Sequence, residues 1–405
     1  ETFGTHAREI GSRSYEAPFA QEGYLFGEDN RLWYVFKAPQ EGVLEIDLRP
    51  FISGAEHNCQ VHLPAPASPV LPSIGQEGVR EVSLKRDAKR PDLFIYLVDA
   101  MNASHLGCYG YHRDTTPEID RFAEEAVLFE QAHATATWTR PSVASLFTGT
   151  YPSFHLVMHA IRRVGVDQLG ESLSNWSLSF PEVLQEAGYA TMAVSTNINI
   201  IESLGFDQGF DVFYFNGGKP WTWVNPLAEE FISKQEASRP VLTYLHLMEP
   251  HAPYAPTEES EKLFDRGFAA SEEAGDVSKS FRKINPQISP ANIEHLKDRY
   301  DAEIHDVDRG FGEFLEMLRE EGRYENALII LLSDHGESFG EHDTMQHGFC
   351  LNQQESHVPL LIKFPHGEMA GRRVERRVSL VDVWPTIMEV TGADTRPPYA
   401  LPGMS

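Results

Sequence analysis

The sequence is short of cysteine, of basic residues and of long apolar runs, and each shortage excludes something. Three cysteines among 405 residues, Cys59, Cys108 and Cys350, form an odd and sparse set. They build neither a disulfide framework nor a CxxC metal knuckle. Lys and Arg number 34 against 60 Asp and Glu, a net charge of −26. That balance speaks against a nucleic-acid partner, whose binding rests on cations neutralising phosphates. The acidic surplus reads as a solvated surface, and it leaves carboxylates for a metal. No apolar run reaches the roughly 18 residues of a transmembrane helix. The opening "ETFGTHAREIGSRSYE" lacks a signal peptide's apolar stretch. The first residue is not Met, so prior removal of a leader or anchor stays open, and periplasmic, extracellular and cytoplasmic locations with it.

What is present is the composition of a soluble globular chain, 41% apolar and 23% charged. The length exceeds one ordinary core, so a large domain with a smaller companion is expected. Residues 1–90 carry short alternating segments, "LWYVFKA", "GVLEIDLRP" and "REVSLKR", around the Pro-rich "LPAPASPVLPSIGQEG". Period-two alternation between breakers predicts a β-rich module, and no chemistry is visible in it.

Residues 91–405 read differently. "LFIYLVD" (93–99), "TMAVSTN" (191–197), "VLTYLHL" (241–247) and "ALIILLSD" (327–334) are nearly continuous apolar runs, as strands buried on both faces require. Between them lie helical patterns. Ile293, Leu296, Tyr300, Ile304, Val307, Phe311, Phe314 and Leu318 recur every three or four positions and predict one long amphipathic helix, opened by Ser289 and Pro290. The expected fold is α/β, a mostly parallel central sheet flanked by helices. Residues 255–289 are polar and irregular and are expected to form a loop or lid.

In open α/β sheets ligands bind beyond the carboxyl ends of the strands. Two of the runs end on acids there, Asp99 and Asp334, the latter followed by His335. One such Asp would more often be a helix cap. Two with an adjacent His favour a metal site, and the mixed carboxylate and imidazole set suits Zn²⁺ or Mn²⁺ better than Ca²⁺ or Mg²⁺. In "TWTRPSVASLFTG" Pro141 fits a first helical position, which puts Thr139 just before the helix as either a cap or an alcohol activated by the metal.

The stretch "DLFIYLVDAMNASHLGCYGYHRDTTPEIDRFAEEAVLFEQAHATATWTRPSVASLFTGTYP" resembles the opening of the sulfatase group in the alkaline phosphatase superfamily. "GYATMAVSTN" with "GFDQGFDVF", "YLHLMEPHAPYAP", "LSDHGESFGEHDTMQHG" and "VSLVDVWPTIMEVTG" follow in that family's order. The likeness runs from about residue 91 to the end. The family continues past a segment like "LPGMS", so the resemblance implies a chain lacking part of that C-terminal region.

The departures from the family pattern are informative. Sulfatases carry Cys or Ser, then x-Pro-x-Arg, and convert the first residue to formylglycine; this chain has Thr139 and Val143. A threonine cannot follow that maturation, because its β-carbon already bears a methyl group. Ala100 breaks the acid pair after the first strand, His335 stands where many sulfatases have Asn, His347 where they often have Lys, and no Lys follows in "AVSTNIN". These changes resemble the phosphoryl-handling branches, the nucleotide pyrophosphatase/phosphodiesterases and the phosphoethanolamine transferases.

That resemblance implies Asp99, Thr139, Asp334 and His335 around one divalent metal. His251 and His347 lie nearby as ligands of a second metal, phosphoryl contacts or acids for the leaving group. A second metal stays open. Asp301 and His305 have a two-metal spacing but sit in the long helix and read as a solvated pair, and "MEPHAPY" offers only Glu249 and His251. His246 reads as buried in its strand, and Asp343 as a loop acid. Asn102, Arg140, His155, Asn197 and His342 are weaker candidates for substrate contact, His155 and His342 at the rim. The expected activity is hydrolysis of a small anionic phosphate or phosphonate ester with Thr139 as nucleophile. Sulfate-ester hydrolysis without formylglycine, transfer to an acceptor alcohol, and an inactive binding homologue are the alternatives.

Overall fold

The computed structural model describes residues 25–28, 31–34, 42–47, 58–63, 90–158, 172–175, 177–268, 288–393 and 402–403. The chain divides into two compact units, Glu1–Ser83 and Leu84–Ser405. The first contains two antiparallel strand pairs, Leu25–Glu28 with Arg31–Tyr34 and Gly42–Asp47 with Asn58–Leu63. The segment "REVSLKR" lies outside the described residues.

In the second unit eight strands form one sheet: β1 (Asp92–Val98), β2 (Val127–Phe129), β3 (Ala190–Ser195), β4 (Val212–Phe215), β5 (Val241–Leu247), β6 (Ala327–Leu332), β7 (Leu360–Lys363) and β8 (Arg373–Val374). Their spatial order is β8-β2-β7-β6-β1-β5-β3-β4. Strands β6, β1, β5, β3 and β4 are mutually parallel, β7 runs antiparallel to both of its neighbours, and β8 is parallel to β2. The helices that frame the sheet are α1 (Pro117–Glu125), α2 (Thr139–Thr148), α3 (Phe180–Glu186), α4 (Trp221–Ser233), α5 (Glu258–Phe264), α6 (Pro290–Glu320) and α7 (Val383–Thr391).

The continuous apolar runs are explained by two-sided burial. Side chains alternate across a strand. Phe94, Tyr96 and Val98 join a core with Tyr300, Phe311 and Phe314 of α6. Leu93, Ile95 and Leu97 join a second core with Leu146 and Phe147 of α2. The long helix forms as its periodicity predicts, and the Ser289 side chain caps it by accepting from Asn292 N. Among the described residues no helix is long and apolar enough to cross a membrane.

The expectation of a loop over 255–289 needs correction. Thr257 caps α5, and the Thr257 hydroxyl and amide both donate to Asp306 of α6 at 2.7 Å. Thr257 and Ser260 dock on Asp306, while Glu258, Glu259 and Lys262 of α5 face solvent. Residues 269–287 lie outside the described residues.

Candidate functional site

The strand periodicity that builds the core also builds the site. The row of β1 facing α2 is Leu93, Ile95, Leu97, and the next residue of that parity is Asp99. On β5 it is Leu242, Tyr244, then His246; on β6, Leu328, Ile330, Leu332, then Asp334; on β3, Ala193, Ser195, then Asn197. Four adjacent parallel strands therefore end by delivering polar groups towards the start of α2.

Local turns fix these groups. After Asp99 the chain reverses through Ala100, whose φ of 55° is a left-handed conformation that costs a non-glycine residue about 1–2 kcal/mol. Ala100 N donates to Asp334 Oδ1 at 3.3 Å, and Tyr300 Oη donates to Ala100 O at 2.6 Å. Gly336, after His335, has no room for a side chain, since a Cβ would lie 2.0 Å from Gln354 O.

Asp99, Asp334 and His335 each offer one ligand atom, and these atoms lie within 4.8 Å of one another, all buried. Each carboxylate has one oxygen engaged by the protein. Asp99 Oδ2 accepts from Asn197 Nδ2, from His246 Nε2 at 3.2 Å and from Thr139 Oγ1 at 3.4 Å. Asp334 Oδ1 accepts from Ala100 N and from His335 N, the latter at 3.0 Å. The other oxygens, Asp99 Oδ1 and Asp334 Oδ2, are buried without a hydrogen bond, and His335 Nε2 stands 3.5 Å from each. His335 Nδ1 lies 2.9 Å from Gly336 O and donates to it, so in the neutral ring Nε2 presents a lone pair to two carboxylate oxygens. Three electron-rich atoms facing one point, the two carboxylate oxygens among them without a donor, fit a divalent cation.

The crowding of these groups shifts their titration. Burial pushes the Asp99 carboxyl up, but the His246 hydrogen bond and the nearby His251 and His335 hold it below the usual carboxylate range. Asp334 is raised by burial and by Asp99. Burial lowers His335, and Asp334 and Asp99 outweigh it to give a net rise.

Thr139 is the first residue of α2, not the residue before it: Trp138 is the N-cap, and no side chain caps the helix. Pro141 falls at the third helical position, where it still lacks an N–H the helix would not have used. The Thr139 hydroxyl instead turns to the acids, 3.4 Å from Asp99 Oδ2, 3.3 Å from His335 Nε2 and 3.4 Å from Asn197 Nδ2. Val143, one turn along, is buried in the apolar core beside Leu146 and Phe147.

Two more histidines border this group. The His347 ring lies 4.2 Å from that of His335, and the His251 ring 4.8 Å from that of His347. His347 Nδ1 is 2.9 Å from Glu337 Oε1, and Tyr254 Oη donates to Glu337 Oε2 at 3.1 Å. Burial raises Glu337 to about 7.

Other candidates are placed elsewhere or do other work. Asn102 caps a short turn, accepting from Ser104 N at 2.9 Å. His155 is not at a rim: it is 6% exposed and sits 2.9 Å from Ser145 Oγ, and burial lowers it to about 3. His342 is exposed on the Glu341–Asp343 turn, with Asp343 beside it. Arg140 is buried, donating to Asn199 Oδ1 at 2.9 Å, while Asn199 N donates to Asn197 Oδ1 at 2.7 Å; Arg140 braces Asn197 from behind. Asp301 and His305 are not a solvated pair. Asp301 is buried and meets His105 Nδ1 at 2.6 Å, Tyr111 Oη at 2.7 Å and Arg113 at 2.6 Å. Glu249 accepts from Trp221 N at 3.3 Å.

The reading of His246 as merely buried in its strand needs amending, because the residue touches Asp99; strand parity was the signal that could have placed it. Glu337, two residues beyond His335, was not singled out at all. Only its side-chain partners His347 and Tyr254 could have drawn attention to it, and neither pairing shows in a local pattern.

The comparisons with known proteins bear on the second unit. The Sulfatase family model matches residues 91–393. An uncharacterised sulfatase of Escherichia coli, YidJ, is 26% identical over 356 residues, covering 78% of this chain and 70% of that protein. An N-acetylglucosamine-6-O-sulfatase of Bacteroides thetaiotaomicron is 22% identical, over 76% of this chain and 69% of its own. The crystal structure of the phosphonate monoester hydrolase of Agrobacterium radiobacter superposes with a TM-score of 0.64 at 20% identity, covering 78% of this chain and 76% of that one. The chain belongs to the sulfatase family, metal-dependent hydrolases that act on ester bonds.

Proposed function

We propose that the chain hydrolyses phosphate or phosphonate esters, with Thr139 as its nucleophile and Zn²⁺ or Mn²⁺ held by Asp99, Asp334 and His335. The observation that carries this is the placement of Thr139 Oγ1, 3.3 Å from His335 Nε2 and 3.4 Å from Asp99 Oδ2. An alcohol there replaces the residue that sulfatases mature to an aldehyde, and Val143, buried in the core, replaces the arginine that accompanies it.

The bound cation would supply Lewis acidity, easing ionisation of the threonine alcohol and offsetting charge on the ester. The rest falls to the chain's own groups. Asn197 and His246 donate to Asp99 Oδ2 and keep that carboxylate from taking up the Thr139 proton permanently. Thr139 Oγ1 gives up its proton to solvent and attacks phosphorus, forming one P–O bond while the bond to the leaving alcohol breaks in line. The leading amides of α2 and the positive end of its dipole face the charge on the phosphoryl oxygens. His347, held by Glu337, or His251 beside it, gives a proton to the departing alkoxide. Water then cleaves the phosphothreonine, its hydroxyl going to phosphorus and its proton to Thr139 Oγ1, and the histidine regains its proton from solvent.

The test is a panel of aryl esters, phosphate monoester, phosphate diester, phosphonate and sulfate, assayed with wild type and Thr139→Ala after loading with Zn²⁺ or Mn²⁺. The expected result is preference for a phosphorus ester and loss of turnover in the variant. A second reading, sulfate-ester hydrolysis, is favoured by the sulfatase names of the curated relatives. Faster turnover of the aryl sulfate than of every phosphorus ester would decide for it.

A further inference from the structure

The three donors to Asp99 all meet the same oxygen, and one of them is itself held. His246 Nε2 lies 3.2 Å from Asp99 Oδ2, and His246 Nδ1 lies 2.9 Å from Tyr244 Oη. Tyr244 and His246 are two apart on β5 and so share a face. The register places His246 opposite Leu97 of β1, and Asp99 N donates to Leu247 O at 2.9 Å, which brings the ring beside the carboxylate. All three side chains are fully buried.

The direction of these hydrogen bonds follows from the geometry. Asp99 Oδ2 already accepts from Asn197 Nδ2 and Thr139 Oγ1, so it is the acceptor here too and Nε2 carries the hydrogen. A neutral ring then has a lone pair on Nδ1, and the Tyr244 phenol, protonated at neutral pH, donates to it. The opposite tautomer would set a lone pair against a carboxylate oxygen at a fully buried position. Tyr244 is fixed in turn by α2: its ring packs edge-on against Phe147 at a centroid distance of 5.0 Å. A chain of contacts thus runs from the helix that carries Thr139, through Phe147, Tyr244 and His246, to one oxygen of Asp99.

We infer that Tyr244 and His246 are positioning residues that occupy Asp99 Oδ2 and so reserve Asp99 Oδ1 for the metal. This rests on the metal site proposed above. It goes further by giving a role to a strand histidine and tyrosine that are neither ligands nor contacts of substrate. A histidine buried only to fill space would gain nothing from a fixed tautomer. Outer partners that orient a metal-binding ligand typically change metal affinity by about 10–100-fold when removed.

The experiment measures Mn²⁺ and Zn²⁺ dissociation constants by calorimetry for the whole chain and for His246→Leu, His246→Gln and Tyr244→Phe. Far-UV circular dichroism of each metal-free variant verifies folding. The expected result is about 10–100-fold weaker binding in His246→Leu and a smaller loss in Tyr244→Phe. His246→Gln should recover most of the affinity, because its amide nitrogen can donate in place of Nε2. Imidazole ¹⁵N NMR of the metal-free wild type, with the signal assigned by its absence in His246→Gln, should show the Nε2–H tautomer, with a tautomer mixture in Tyr244→Phe. Wild-type affinity in His246→Leu, equal weakness in the Gln and Leu variants, or an Nδ1–H tautomer in wild type would each overturn the inference. None of these readouts uses substrate, so failure of the Thr139 chemistry would leave them standing. Absence of metal binding in wild type would overturn the metal reading and this inference together.

Discussion

Asp99 Oδ1 and Asp334 Oδ2 meet at the carboxyl ends of neighbouring parallel strands, both buried and both without a hydrogen-bond donor. In the metal-free protein these carboxylates repel, and burial first and Asp99 second raise the Asp334 pKa. A cation binding the folded state alone stabilises it, by about 2.7 kcal/mol at a hundredfold excess over Kd. Differential scanning fluorimetry should therefore show a higher Tm on adding Mn²⁺ or Zn²⁺ and its reversal by EDTA. Asp334→Asn should abolish that increment while leaving the metal-free Tm at or above the wild-type value, since it removes one of two opposed charges. A metal-free variant much less stable than wild type would contradict the account of the pair.

The hydroxyl of Thr139 separates a structural from a chemical role. A helix-capping threonine would contribute about 1 kcal/mol to stability, but Trp138 holds the cap position and no side chain caps α2. Thr139→Ala should then unfold within about 0.5 kcal/mol of wild type while losing about a thousandfold or more in kcat. Thr139→Ser keeps the alcohol and should retain measurable turnover. Urea unfolding paired with single-substrate kinetics makes the comparison, and a stability loss without an activity loss would assign Thr139 to the fold alone.

The sheet was legible in the sequence because its strands are buried on both faces, which turns them into unbroken apolar runs with a polar residue at the end. Asp99, Asp334 and His335 were legible for the same reason. The long helix showed in its period and its Ser289 cap. What escaped was set by contacts between distant segments. His246 lies inside an apolar run, and only the neighbouring strand shows that it reaches Asp99. Glu337 gains its meaning from His347 and Tyr254. His155 looked like a rim residue because no local pattern announces its contact with Ser145. Asp301 and His305 have helical spacing that fits a solvated pair, yet Asp301 faces Arg113, nearly 190 residues earlier in the chain.

Asp301 is the clearest buried charge outside the candidate site. It accepts from Tyr111 and Arg113 and meets the His105 ring, with its own side chain fully buried. Removing one partner of a buried ion pair typically costs about 3–5 kcal/mol, because the remaining charge loses its compensation. Arg113 keeps Asp298 at 2.7 Å, so Asp301→Ala should fall at the lower end of that range. Specific activity per folded molecule should stay near wild type in urea-titrated samples. Loss of bound metal in Asp301→Ala without loss of stability would instead make Asp301 a ligand.

Glu249 gives a pH dependence whose sign can be worked out. Burial raises its carboxyl from 4.5 to about 7, so the folded state favours the protonated form. That contribution to stability is fully present below the unfolded value and is lost as pH rises through the folded one. Between about pH 5 and pH 8 wild type should therefore lose stability from this group, by an amount on the order of 1–3 kcal/mol. Glu249→Gln cannot ionise and still offers an oxygen to Trp221 N. Subtracting its urea-unfolding free energies from those of wild type at the two pH values isolates the group from Glu303 and Asp308, which burial also raises. The difference should favour wild type at pH 5 relative to pH 8. Parallel pH slopes for the two proteins would show that Glu249 is ionised in the fold, with its charge compensated by a group other than Trp221.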